Sequence, residues 1–194
     1  MNRAERRATR KKLNRRQRNS LDRRNLIGLA CHEAAHAVIG TVLGLDVHQV
    51  SVRPRQETWG HTEYEPPPEF VDAAEGQIDT SHPAAASWLE AKAICGLAGP
   101  RMHETVLLNI DQEATFDDEA GWRVDEHYVE LNCAYLCEAT GRDAEEVVNS
   151  VEDRTRELIM AHGDTIKAVA QVLGEQGSLP GEQLREIVAE GRAV

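Results

Sequence analysis

The chain has 194 residues, of which 41% are hydrophobic and 28% charged, and its formal net charge is -11. This length and composition are typical of one globular domain with a short appendage and argue against two full domains. Aromatic residues make up only 4%, which argues against a large β-sandwich and favours a core of aliphatic residues on helices.

The first 25 residues differ in charge from the rest of the chain. Eleven of the 22 Lys and Arg residues precede Leu26 but only two of the 33 acidic residues do, so residues 1–25 carry about +9 and residues 26–194 about -20. Because this basic arm repels itself and has no apolar periodicity, it is predicted to be disordered or a fraying helix. Contact with nucleic acid or another anionic partner and a purely solubilising role both remain open.

The first predicted element of the domain is a helix from about residue 25 to residue 43. Its apolar residues recur at helical spacing, and Gly44 is a typical helix stop. The sequence Cys-His-Glu-Ala-Ala-His interrupts the apolar run at residues 31–36. These ionisable side chains, and the lack of a cleavage pattern, argue against a signal peptide or a membrane span.

Short strands and further helices are predicted after it. The alternation at residues 47–52 and 58–64 indicates a hairpin, which three prolines at 66–68 end. Helical periodicity returns in five segments: 84–99, 122–140, 144–161, 164–174 and 181–191. The predicted fold class is therefore mainly α (α+β), with about six helices and one small β-hairpin.

Four cysteines are present in a chain without an export signal. Such cysteines are more often reduced thiols in or near a core than a disulfide framework. The predicted location is cytoplasmic.

The motif at residues 31–36 carries the chemistry. Positions i and i+4 of a helix lie on one face, so His32 and His36 can direct imidazole nitrogens at one point, as two ligands of a Zn²⁺ ion would. Glu33 lies close enough to activate a zinc-bound water as general base, because zinc lowers the pKa of that water to about 7. Two packed core histidines and a solvent-facing glutamate are the non-functional interpretation.

A third protein ligand is needed for a catalytic zinc site. Val42 and Leu43 stand where a metzincin would carry its third histidine, which excludes that class. A thermolysin-like site would use a glutamate from a later helix, for which Glu90 and Glu104 are candidates. Three lone histidines, more often surface or packing residues, are the remaining candidates: His61, His103 and His127.

Several segments together resemble one known family. They are, in order, HEAAH followed by AVIG, then VHQVSVRPR, WGHTEYEP, GLAGPRMHE and HGDTIKAVAQVLGEQGSLPGEQL. In order and spacing they resemble the peptidase domain of the FtsH family, the zinc peptidase half of membrane-anchored AAA+ proteases, over about residues 26–190. The resemblance implies a zincin-like helical domain for residues 26–194.

The resemblance also implies the identity of the third ligand. In that family it is an aspartate at the start of a helix, and TFDDEAGW lies at the corresponding place. Asp118 is the first candidate and Asp117 the second. The hydrophobic phase of the following helix would instead set Gly121 at the ligand position, with Asp117 one turn earlier on the same face.

The implied activity is that of a zinc-dependent, ATP-independent metalloendopeptidase. The family's ATPase ring and transmembrane segment are not in this sequence, so the expected substrates are polypeptides already unfolded or delivered by a separate ATPase or adaptor. An extended peptide would add to the hairpin edge at residues 59–65. The alternative is a catalytically weak or inactive binding or regulatory module of the same fold, with the basic arm contacting nucleic acid or another anionic partner.

Overall fold

The computed structural model of the chain describes residues 15–53, 60–64, 68–72, 77–110 and 119–191, with the backbone alone in 15–25, 106–110 and 119–123. The elements in chain order are α1 (Arg15–Val42), β1 (Val47–Ser51), β2 (His61–Tyr64), β3 (Val71–Asp72), β4 (Gln77–Ile78), α2 (Ala85–Ile110), α3 (Glu119–Thr140), α4 (Ala144–Gln176), β5 (Ser178–Pro180) and α5 (Gly181–Gly191). A mainly helical fold with small antiparallel sheets confirms the predicted fold class.

Helix α1 begins at Arg15, about ten residues before its predicted start. Arginine is a good helix former, so the basic stretch can extend a helix whose central part is held by packing. Gly44 ends the helix as predicted, with a left-handed φ of 83° that a residue with a Cβ adopts only with strain. The rest of the predicted basic arm, residues 1–14, lies outside the described residues.

Helix α4 replaces two of the predicted helices, so the described residues form five helices rather than about six. Gly163 does not end the helix, because α4 continues through it with a kink at His162. Buried apolar side chains on both sides of the kink, among them Leu158 and Ile166, hold the two halves against the same core. Asp143 caps the start of the helix and accepts a 2.8 Å hydrogen bond from the backbone N–H of Glu145.

The predicted hairpin gains a third strand. The strand order is β2-β1-β5, with β1 antiparallel to both neighbours and Val50 opposite Thr62 on one side and Leu179 on the other. Between the helices predicted at 164–174 and 181–191, Gly177 makes a turn with a φ of 80° and the next three residues pair with β1. A three-residue strand is too short to show alternation. Strands β3 and β4 form a separate short ladder.

The centre of α1 is the core of the molecule. It packs against α2 and α4, and small or branched side chains line its buried faces. Ala34, Ala35 and Ala37 are fully buried and let the neighbouring helices approach closely. No helix among the described residues is both long and apolar enough to span a membrane.

Candidate metal centre

Three ionisable side chains lie in the buried middle of α1. The exposed fractions of His32, Glu33 and His36 are only 6–7%. The Nε2 atoms of His32 and His36 lie 3.0 Å apart, with the two rings edge to face. The i and i+4 spacing therefore directs both imidazoles at one point, as the motif predicts.

Helix α3 contributes a carboxylate to the same point. Oδ2 of Asp125 lies 3.0 Å from Nε2 of His32 and 3.5 Å from Nε2 of His36. Among the described residues, this is the one cluster of His, Cys, Asp or Glu side chains whose ligand atoms converge closely enough to hold a metal ion. The arrangement of His32, His36 and Asp125 could thus hold a cation between α1 and α3.

Helix α2 fixes the orientation of one histidine. Nδ1 of His36 lies 2.7 Å from the backbone carbonyl oxygen of Cys95. Because a carbonyl only accepts hydrogen bonds, Nδ1 carries the proton and Nε2 is the atom left to face Asp125 and His32. Such a bond to the distal nitrogen is the usual way in which proteins orient a ligating imidazole.

Gly99 on α2 lets the backbone pass close to the imidazoles. A Cβ at this position would lie 2.8 Å from Nε2 of His32 and 2.6 Å from Cε1 of His36, and closer still to Nε2 of His36. These separations are well inside van der Waals contact. A side chain at residue 99 would therefore displace the two histidines from their present positions.

The electrostatics of the cluster favour a positive charge at its centre. Burial alone would raise the pKa of Asp125, but hydrogen bonds from the two histidines hold it well below its usual range. Burial would lower the pKa of His36, but the hydrogen bond and charge of Asp125 raise it well above its usual value. A proton or a metal cation can supply that charge.

Glu33 is held by the edge strand β2. Its Oε2 accepts a 3.0 Å hydrogen bond from the hydroxyl of Thr62. A Cβ at Gly60 would lie 2.6 Å from Oε1, so the backbone just before the strand also packs directly against the carboxylate. Burial raises the pKa of Glu33, and the histidines and the Thr62 hydroxyl offset part of that rise. A raised pKa makes a carboxylate a stronger base.

His103 is a third histidine beside the cluster. It is buried, and its ring centroid lies 6.0 Å from that of His32. Burial first, and then the electrostatic effect of the neighbouring His32, lowers the pKa of His103 to about 4. His103 is therefore neutral at pH 7 and packs beside the converging ligand atoms without being one of them.

The other residues predicted as ligands have separate positions. Asp117 and Asp118 lie outside the described residues. Glu104 pairs with Arg101 at 3.1 Å, and Glu90 lines a surface cleft with Leu43 and Arg154. Two histidines lie near other side chains: His61, 3.5 Å from Glu63, and His127, beside Tyr128.

Sequence reasoning missed Asp125. The hydrophobic phase of α3 pointed to Gly121, and Asp125 lies one turn after it on the same face. The sequence did contain a signal for Asp125: it is an acidic residue on the same face of α3 as Gly121. Apolar periodicity shows which face of α3 is buried. It does not show how far α3 is shifted along α1, because tertiary packing determines that shift.

The sequence was also compared with known proteins. No family model matches the chain, and a search of curated proteins finds no match.

Proposed function

We propose that the chain is a zinc-dependent, ATP-independent metalloendopeptidase of the FtsH-peptidase type, acting on unfolded or partner-delivered polypeptides. The observation that carries this proposal is the convergence of ligand atoms from His32, His36 and Asp125 next to a buried glutamate. Two imidazoles and one carboxylate form a common ligand set of catalytic zinc sites.

The spacing of the ligand atoms supports zinc as the metal. The three separations are 3.0, 3.0 and 3.5 Å. Ligand atoms about 2.0–2.1 Å from a tetrahedral zinc ion lie roughly 3.3–3.4 Å from one another. Small side-chain movements would therefore fit the triad to one face of such a tetrahedron. Three protein ligands leave a fourth position open, which catalytic zinc sites require.

The surrounding residues have distinct roles in this proposal. A bound zinc ion would polarise the scissile carbonyl and acidify a water molecule. Glu33 would take the proton from the attacking water and pass it to the leaving amine nitrogen. Thr62 holds the Glu33 carboxylate in place, and the carbonyl of Cys95 holds the ring of His36.

Strand β2 is the proposed binding edge for an extended substrate. Within the described residues, β2 pairs with β1 on one side and has no strand on the other. A peptide that adds there gains main-chain hydrogen bonds with little dependence on sequence. Because Thr62 on this strand contacts Glu33, the added peptide would run beside the general base.

Metal content and cleavage, measured together, test the proposal. We expect about one zinc ion per chain and cleavage of unfolded casein without ATP. Glu33→Gln should keep the zinc and lose cleavage by at least about 100-fold, since general-base catalysis contributes that much. Glu130→Gln, at an exposed position of α3, is the matched control. Full cleavage by Glu33→Gln would refute this role, and zinc binding without any cleavage by the wild type would favour the non-catalytic binding module.

A further inference from the structure

Lys92 on α2 has an unusual environment. Its Nζ lies 3.9 Å from the ring centroid of Tyr64 and 5.9 Å from that of Trp88. The side chain is only partly exposed. Burial lowers the pKa of the amine, which shows that the ammonium has lost part of its hydration.

The other Lys and Arg side chains that the structure describes have oxygen partners. Six Lys and Arg side chains pair with carboxylates: Arg101, Arg142, Arg154, Arg156, Lys167 and Arg185. Arg53 donates to the carbonyl oxygen of Gln176. Among the described residues no carboxylate pairs with Lys92, although residues 26–194 carry a net charge of about -20. Among the described cations, Lys92 is thus the one that contacts aromatic rings instead of an oxygen atom.

Aromatic faces satisfy an ammonium group incompletely. A cation–π contact attracts the charge of the ammonium, but its three N–H donors are not paired with oxygen atoms by the ring faces. A carboxylate that reached Nζ would form a charge-assisted hydrogen bond in a partly dehydrated site, where such bonds are strong. The environment of Lys92 therefore favours an anionic ligand.

The position of Lys92 links it to the candidate active site. Tyr64, beneath its ammonium, lies two residues from Thr62 on the same face of β2, a separation of about 7 Å along the strand. The Tyr64 hydroxyl lies 2.8 Å from Sγ of Cys95, whose carbonyl oxygen accepts the His36 hydrogen bond. Lys92 thus lies at one end of the edge that the proposed substrate would occupy.

We propose that Lys92 is the anion-binding residue of the substrate cleft and pairs with a carboxylate of the bound polypeptide. The carboxylate belongs to a residue of the bound polypeptide about two positions from the residue that pairs with Thr62. It is either an Asp or Glu side chain of the bound polypeptide or the C-terminal carboxylate of that polypeptide. The inference rests on the proposed function for its substrate, a polypeptide along β2, and adds a charge preference to it.

A binding measurement tests Lys92 separately from catalysis. Fluorescein-labelled nonapeptides of Ala, Leu and Ser, with amidated C-termini and one Glu placed at each position in turn, are titrated against zinc-loaded full-length Glu33→Gln protein by fluorescence anisotropy. The same peptides with Gln are the comparison, and a neutral peptide with a free C-terminus tests the terminal carboxylate. We expect one Glu position, or the free C-terminus, to bind about tenfold more tightly than its neutral match.

Variants assign the preference to the ammonium. In the same background, Lys92→Met keeps the length of the side chain and should make the affinities for the Glu and Gln peptides about equal. Lys92→Arg should retain most of the preference for the Glu peptide. Lys167→Met removes an exposed lysine that pairs with Asp164 and should leave the preference unchanged. Thermal melting and zinc content establish that each variant is folded.

The outcomes separate this inference from the proposed function. Equal affinity for the Glu and Gln peptides, a preference that survives in Lys92→Met, or no binding of any peptide would overturn the role of Lys92. Cleavage of casein by the wild type without a charge preference would leave the peptidase proposal intact. A Lys92-dependent preference in a protein that cleaves nothing would support the binding site and contradict the peptidase.

Discussion

The hydroxyl of Thr62 donates a 3.0 Å hydrogen bond to the carboxylate of Glu33, joining the edge strand β2 to the proposed general base on α1. We expect Thr62→Val to lower kcat about tenfold, since the base then loses its orienting partner while general-base catalysis as a whole contributes 10²–10⁴-fold. Zinc content should not change. Steady-state cleavage kinetics and metal analysis measure the two effects.

Thr62→Ser is the control for this change, because it restores a hydroxyl and should restore most of the rate. Loss of zinc from Thr62→Val would mean that the residue supports the ligands rather than Glu33. A rate equal to that of the wild type would show that the hydrogen bond does not orient the base.

Asp125 should be the acidic residue on which metal binding depends. Asp125→Asn is expected to lower zinc affinity by at least about 100-fold, because it removes the charge that balances the cation and one of three protein ligands. Competition with a chromogenic chelator measures the affinity. Asp117→Asn and Asp118→Asn should bind zinc nearly as well as the wild type, and so should Glu126→Gln, at an exposed neighbouring position. A larger loss in Asp117→Asn or Asp118→Asn than in Asp125→Asn would assign the third ligand to that residue.

Gly99 should be needed for the positions of His32 and His36 rather than for the formation of α2. Gly99→Ala places a methyl group 2.8 Å from Nε2 of His32, so we expect it to weaken zinc binding at least tenfold. Gly174→Ala is the matched control, because nothing lies within 4 Å of its Cβ and it should stabilise α4 by about 0.5–1 kcal/mol. Equal zinc affinity in the two variants would contradict the close approach at Gly99.

The Arg101–Glu152 ion pair should make stability depend on pH. The hydrogen bond from Arg101 lowers the pKa of Glu152, so its contribution is present above the unfolded-state pKa of about 4.3 and is lost as pH falls through the lower native value. Glu152→Gln should lower Tm by about 2–4 °C at pH 7, corresponding to roughly 1 kcal/mol, and by less at pH 3. Differential scanning calorimetry at both pH values checks this. A difference in Tm as large at pH 3 as at pH 7 would mean that packing, not charge, is lost.

The sequence predicted the part of the site that local geometry determines. His32, Glu33 and His36 belong to one helix, and helical spacing alone places the two imidazoles together. Asp125 reaches them from a different helix. Its position depends on how far α3 is displaced along α1, and packing against α2 decides that displacement. Periodicity gives the buried face of a helix but not its shift along a neighbour.

The same distinction holds for the fold. The long amphipathic stretches of the chain are helices as predicted, because burial of an apolar face follows from the local pattern. Separate helices were expected at 144–161 and 164–174, yet buried residues on both sides of Gly163 keep α4 continuous. Ser178–Pro180 became a strand because β1 offered an unpaired edge. Both differences arise from contacts between segments distant in sequence.

The pairing of His32 with Asp125 spans 93 residues of the chain. An ion held by both would act as a crosslink, closing a long loop at a large entropic cost to the unfolded chain but at little cost to the folded one. Only the folded chain, with α1 and α3 both packed against α2, presents all three ligands, so an unfolded chain has no comparable site to offer. Metal occupancy in this protein would therefore report the native arrangement of its helices, and a chelator would act as a mild denaturant.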